Sequence, residues 1–134
     1  MINLDTNTAI AFIAEASTIR QQLRAFVTDQ QLVMAQTAFN EFINIVQKSG
    51  GISEQARANR FLQRVTIVSD NISTTAQTLR PTRNLDANDI IILGTGDQMG
   101  IITMTADAKA VRAASAQGVE FNVYIHPPYS LKGC

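Results

Sequence analysis

The sequence predicts an α/β fold, a three-layer sandwich in which a central, mainly parallel sheet is flanked by helices. Three observations carry this. Short apolar runs of strand length recur along the chain, several of them rich in β-branched residues. Most are followed by stretches whose apolar residues keep helical spacing, and strands that alternate with helices pair in parallel through right-handed crossovers. The chain has 134 residues, 46% hydrophobic and 16% charged, which is enough to bury one core and too apolar for disorder.

Taken in order, Ile2 to Leu4 reads as a buried strand and Asn7 to Ala14 as a helix. Ser17 to Phe26 carries Ile19, Leu23 and Phe26 at helical intervals. Leu32 to Ala35 is a second strand, and Thr37 opens a helix with Phe39, Phe42, Ile43 and Val46 inward, stopped by Ser49-Gly50-Gly51. Ser53 to about Arg64 is the next helix, and the β-branched Val65 to Val68 the third strand. After Arg80-Pro81, the run Ile90 to Leu93 has strand propensity. A helix from Asp86 to Met99, closed by Gly100, is preferred because Ile101 to Thr105 must itself be a strand. Ala108 to Gln117 is a helix ended by Gly118, and Phe121 to Ile125 the last strand. Gly94-Thr95-Gly96 is an awkward helix interior and predicts a kink. The chain reads as one domain over 1–134, with 126–134 a short C-terminal tail.

Composition excludes several classes. Eleven basic and eleven acidic residues give no net charge, which argues against a strongly basic nucleic-acid binder. No apolar run is long enough to span a membrane, and no signal peptide is visible. The single cysteine, Cys134, can form no internal disulfide. These features suit action in a reducing cytoplasm, reached directly or by delivery into a target cell as part of a larger secreted protein.

The acids point to chemistry. In a doubly wound sheet the functional crevice lies beyond the carboxyl ends of the strands. Asp5 follows the first strand and Asp107 the fourth. Asp89 sits at the start of the helix feeding that fourth strand, and Glu41 lies one turn into the helix after the second strand. Four converging carboxylates repel one another. A hard divalent cation, Mg²⁺ or Mn²⁺, takes oxygen ligands, relieves that repulsion and promotes phosphodiester hydrolysis.

At these residues the chain resembles the PIN domain, the nuclease fold of toxins from type II toxin–antitoxin pairs. Ile2-Asn3-Leu4-Asp5-Thr6-Asn7 is similar to the family's opening strand and its Asp-Thr-Asn/Ser element. Thr37 to Phe42 resembles the helix that carries the family's glutamate, and Leu85 to Ile92 the helix that carries its third acid. Thr103 to Asp107 resembles the element with threonine and aspartate two residues apart. The resemblance runs from Ile2 to about Ile125. It implies an RNA-cleaving enzyme with Asp5, Glu41, Asp89 and Asp107 around Mg²⁺ or Mn²⁺, and with Asn7 and Thr105 orienting ligands, water or substrate. It also implies a toxin role on tRNA or another RNA, a neutralising antitoxin or immunity protein as partner, and compatibility with a homodimer. Asp97 stands as a rival to Asp89, and the ending from His126 to Cys134 has no counterpart in the family's pattern.

Plainer readings stand beside these. Asp5, Asp107 and Asp86 are each suitable helix caps, and Asp89 a partner of a helix dipole. Glu41 is harder to dismiss, because Phe39, Phe42 and Ile43 mark its helix as mostly buried. His126, the only histidine, reads as structural; Met34, Met99 and Met104 read as core. Arg57, Arg60 and Arg64 form a stripe at helical spacing, and Arg80 and Arg83 flank Pro81. Any one of them alone is an ordinary solvated charge. Setting the four acids aside leaves seven acidic against eleven basic residues, a division suited to gripping an RNA backbone outside an acidic pocket. Two other readings compete: a catalytically inactive PIN-like module for RNA or protein binding, and a receiver-like signalling domain. The second is ranked lower because Asp5 has no acidic neighbour and Lys132 comes too late.

Overall fold

A computed structural model describes residues 1–134. Its five strands are β1 (Ile2–Leu4), β2 (Leu32–Ala35), β3 (Val65–Val68), β4 (Ile102–Thr105) and β5 (Val123–Ile125). Its helices are α1 (Thr6–Ile13), α2 (Arg20–Phe26), α3 (Gln36–Ser49), α4 (Ile52–Leu62), α5 (Ala87–Met99) and α6 (Ala108–Ala116), with a short 3₁₀ turn at Ala76–Thr78. All strand pairs are parallel, in the order β3-β2-β1-β4-β5. β1 is central, with Ile2 aligned to Leu32 on one side and to Ile102 on the other. This is the three-layer α/β sandwich read from the sequence, and its sheet is wholly parallel.

Parallel pairing explains the strand composition. Both faces of the sheet are covered, so β1 and β2 are buried at every position; β2 reads as a continuous apolar run, and β1 carries one buried polar residue, Asn3. From β1 the chain steps to β2 and β3, then returns past β1 to β4 and β5. Right-handed crossovers therefore put α1 to α4 on one face and α5 and α6 on the other. The two cores agree: Leu4, Phe12, Leu23, Phe42 and Val46 pack on the first face, and Leu85, Leu93, Ala110, Ala114 and Phe121 on the second. The path reverses between β1 and β4, and a crevice opens beyond their carboxyl ends.

Three local differences from the sequence expectation have clear causes. α2 begins at Arg20 and not at Ser17, because Ala16 takes a left-handed backbone (φ 53°) that separates it from α1. Phe39 and Ile43 are half-buried, leaving Phe42 and Val46 as the inward face of α3. Gly94 and Gly96 do not break α5, which is continuous from Ala87 to Met99. They let it lie close on the sheet: a methyl at Gly96 would overlap Thr103 Oγ1 and crowd Asn3, and one at Gly94 would crowd Ile72 and Ala76. Across that contact Asn3 Nδ2 donates to Ile92 O (3.1 Å) and Thr103 Oγ1 (3.0 Å).

Candidate active site

The crevice is built from strand ends and helix starts. Asp5 ends β1 and caps α1: Oδ1 accepts from the Thr6 amide (2.7 Å) and Oδ2 from the Thr105 hydroxyl (2.6 Å) at the end of β4. The cap reading of Asp5 holds, and the same carboxylate lines the crevice. One turn into α3, Glu41 accepts from the Thr6 hydroxyl (2.7 Å) and from Asn88 Nδ2 (2.9 Å) at the start of α5. Asp89 shares a reciprocal cap with Asp86: the Asp89 amide donates to Asp86 Oδ1 (2.8 Å) and the Asp86 amide to Asp89 Oδ2 (3.0 Å). Asp107 caps α6 through the Ala110 amide (3.0 Å), and its own amide donates to Thr105 Oγ1 (3.0 Å). Asn7 Oδ1 accepts from the Ala106 amide (3.0 Å), fixing the loop between Thr105 and Asp107.

Asp5, Glu41 and Asp89 line one cavity of about 520 Å³. Asp107 is not among the lining residues, but its charge acts on both Asp5 and Asp89. Burial pushes the Asp5 carboxyl up to about 6, against its bonds to Thr105 and Thr6 and with help from the charges of Glu41 and Asp107. Asp89 is raised to about 7, first by burial and then by the charges of Asp86, Asp5 and Asp107, against the amide of Asp86. The four acids from separate segments therefore share one electrostatic neighbourhood. No three acidic, histidine or cysteine side chains stand close enough to hold a metal ion as they lie. The reason is visible in the bonds above, which hold each carboxylate on its own protein donor. The donor set is all oxygen and short of counter-charge, which is the chemistry a hard divalent cation suits; the present arrangement is not a finished ligand cage.

The rest of the wall was not legible in the sequence. Pro128, Tyr129, Ser130 and Leu131 line the same cavity, so the C-terminal tail forms a wall of the cleft. The Tyr129 hydroxyl donates to Ala16 O (2.7 Å). His126 is buried, with Nε2 2.7 Å from the Thr8 hydroxyl, and burial lowers its pKa; its role is structural. The ending is anchored by Glu54, which is fully buried at the start of α4. Glu54 Oε1 accepts from the amides of Gly51 (3.3 Å), Gly133 (2.9 Å) and Cys134 (3.1 Å), and Oε2 from those of Glu15 (2.8 Å) and Lys132 (3.0 Å). Burial alone would raise its pKa, but these donors outweigh it and hold the carboxyl at about 2.

Other candidate residues fall elsewhere. Asp97 lies two turns beyond Asp89, roughly 12 Å along α5 toward the amino end of the sheet, and does not join the cleft. Arg57 is paired with Glu15 (2.6 Å) and donates to Ile13 O (2.8 Å). Arg60 and Arg64 line a cavity that also includes Leu32, at the amino end of β2 and so at the far end of the sheet from the acids. The stripe does not flank the pocket. Arg80 and Arg83 are exposed, Arg80 with its amide bonded to Gln117 and Arg83 in the turn that leads into α5.

The raised acids give a pH prediction for the metal-free chain. A carboxyl whose folded pKa lies above its unfolded value binds more protons when folded, so stability falls as pH rises between the two values. For Asp5 the window runs from 3.8 to about 6. The stability of Asp5→Asn relative to the unsubstituted chain should therefore climb by about 3 kcal/mol across that window and level off above it. Urea titrations of both proteins in chelator at pH 4, 5, 6 and 7.5 measure the difference. A difference independent of pH would mean that Asp5 is not held at this cost. Taking the difference cancels the opposite contribution of His126, whose lowered pKa favours folding as pH rises toward 6.5.

The parallel order, the reversal between β1 and β4 and the acids at their ends make this a PIN-like fold. The chain belongs to the DUF1308 family, described as a protein of unknown function, whose sequence profile matches residues 9–133. Glu41, Asp89 and Asp107 lie within the match, and Asp5 and Asn7 just before it. Solved structures share the fold at low identity. VapBC2 from Rickettsia felis, bound to a DNA fragment from its promoter, is 17% identical with a TM-score of 0.63, over 96% of this chain and 100% of that one. DNA-bound VapBC from Salmonella typhimurium is 13% identical with a TM-score of 0.57, over 94% and 96%. VapC20 from Mycobacterium tuberculosis, a sarcin–ricin loop cleaving toxin, is 13% identical with a TM-score of 0.55, over 77% and 87%. No helix is long and apolar enough to cross a membrane.

Proposed function

We propose that this protein is an endoribonuclease that hydrolyses RNA phosphodiester bonds with Mg²⁺ or Mn²⁺, and that it acts as a toxin held in check by an antitoxin or immunity protein. One observation carries the reading: Asp5, Glu41 and Asp89 face a single cavity at the reversal point of the sheet, under the charge of Asp107. Fold similarity to a loop-cleaving toxin supports the activity, and similarity to VapBC complexes supports a protein partner. The cation would be held by Asp5, Glu41, Asp89 and Asp107, and when bound it supplies Lewis acidity toward a phosphodiester. The chain's own groups do the rest. Thr105 and the Thr6 amide fix the plane of Asp5, Thr6 and Asn88 aim Glu41, and Asn7 holds the Thr105–Asp107 loop in register. The wall from Pro128 to Leu131 narrows access to the acids. Its site of action is the cytoplasm, where such RNA is found.

The test is incubation of the protein with total RNA or a tRNA pool in Mg²⁺ or Mn²⁺, with chelator as control. Cleavage that requires the cation is the expected result. Intact RNA from a folded protein under every condition would favour the second reading, a non-catalytic binding module. That reading draws on the engagement of each acid by its own protein donor.

A further inference from the structure

The amino end of the sheet carries a feature that hydrolysis at the carboxyl end does not use. Arg20 and Arg24 lie one turn apart on α2, Arg60 lies in the last turn of α4, and Arg64 follows in the turn between α4 and β3. The first pair is spaced by a rise of about 6 Å. A cavity of about 470 Å³ lined by Ser17, Arg20, Arg24 and Thr28 meets one of about 570 Å³ lined by Arg24, Thr28, Arg60 and Arg64. Arg24 and Thr28 belong to both, so the two form one furrow. None of these four arginines has a carboxylate partner; the ion pair nearby is Arg57 with Glu15. Arg20 donates to Ala14 O, yet its Nε is buried without a partner, as is the Ser17 hydroxyl. Burial, followed by the charges of Arg57 and Arg24, lowers the pKa of Arg20, against the opposing charge of Glu15.

We propose that the furrow between α2 and the end of α4, lined by Arg24, Arg60 and Arg64 and continued along α2 by Arg20, is a second binding site that grips the phosphate backbone of a folded RNA. The inference rests on the nuclease reading only for the identity of that RNA as substrate. Guanidinium forks match phosphate oxygens in pairs, and a row of unpaired arginines meets a polymer that carries a charge on every unit. Thr28, Gln30 and Gln63 line the furrow between the arginines, with Asp29 its one carboxylate, and its floor is made of core residues such as Phe12, Leu32 and Phe61. A protein partner would seek an exposed apolar anchor, and the exposed large apolar residues, Met1, Ile45, Ile52 and Ile125, all lie outside it. The acids stand at the opposite end of the sheet. An RNA that touches both must run along the side of the protein, which a few nucleotides lying in the cleft do not do. The substrate so defined is a structured RNA, held at one end of the sheet and cut at the other.

The test measures binding apart from cleavage, using the full chain in chelator. Its ligands are a stem-loop RNA of more than one helical turn, a hexanucleotide and a poly-glutamate peptide. Arg24→Gln/Arg60→Gln/Arg64→Gln is compared with the unsubstituted protein and with Arg60→Gln alone, after equal melting temperatures have been verified. Stem-loop binding should weaken by about tenfold or more in the triple variant, and the slope of log affinity against log salt should shrink by about 2. Arg60→Gln should fall between, with hexanucleotide binding unchanged. An unchanged slope, absence of stem-loop binding, or tighter binding of poly-glutamate lost in the triple variant would overturn the proposal. Stem-loop binding without cleavage in any cation would strike the nuclease reading alone.

Discussion

Asp5→Asn is expected to abolish RNA cleavage and to leave the chain folded. The asparagine keeps the shape of the side chain: its one oxygen still accepts from the Thr6 amide, and its NH2 group can donate to the Thr105 hydroxyl oxygen in place of the bond that Asp5 accepts there. What disappears is the negative charge at the end of the central strand, in the cavity shared with Glu41 and Asp89. Loss of a group that acts directly on the reacting centre costs about a thousandfold or more in rate. Residues one step removed should cost less. Thr105→Val frees Asp5 Oδ2, and Asn7→Ala frees the Ala106 amide, each lowering the rate by roughly 10- to 100-fold. Gel analysis of the RNA pool under single-turnover conditions separates the two classes. A fully active Asp5→Asn would remove Asp5 from the reaction and with it the assignment of the cleft. Because the unsubstituted Asp5 is buried at a cost, loss of activity cannot be put down to unfolding if the variant melts at or above the original temperature.

The largest loss of stability should follow Glu54→Ala. This carboxylate is fully buried and accepts five backbone amides from Glu15, Gly51, Lys132, Gly133 and Cys134. Removing it leaves buried donors without an acceptor, at about 3–5 kcal/mol by analogy with broken buried charge networks. Glu54→Gln should be little better, since its amide group turns N–H bonds toward amides that also donate. The unsubstituted chain gains stability from this group above pH 4.5 and loses it as pH falls toward 2. Urea midpoints report the energetic loss. Hydrogen exchange at residues 128–134 reports the local one, because Lys132 to Cys134 are tied to α4 through Glu54 while Pro128 to Leu131 wall the cleft. A midpoint and exchange pattern unchanged in Glu54→Ala would show that the segment is held by other contacts.

The sheet and the acids were readable because their signals are local. Ile2 to Leu4 followed by Asp5, and Ile102 to Thr105 followed by Asp107, carry strand, strand end and cap within a few residues. What escaped depends on contacts far along the chain. Gly94 and Gly96 looked like a weak point of α5 until Asn3 and Thr103 were found against Gly96 and Ile72 and Ala76 against Gly94. Glu54 gave no signal at all, because its partners are backbone amides, and every residue type but proline offers one. Arg57, Arg60 and Arg64 shared a spacing but not a role: Glu15 takes the first, and the other two face a furrow completed by Arg24 of α2.

The strand order also sets a timetable for synthesis. β1 is made early yet sits at the centre of the sheet, and one of its edges is filled by β4, about a hundred residues later. Until Ile102 to Thr105 have left the ribosome, β1 presents an unpaired, apolar edge to whatever is nearby, the condition in which nascent chains stick to one another. The same delay keeps Asp5 away from Thr105 and Asp107. A nascent chain therefore carries three of its four acids on unfinished supports while it is still attached to the translating ribosome. The cleft closes only when Pro128 to Leu131 arrive to complete its wall.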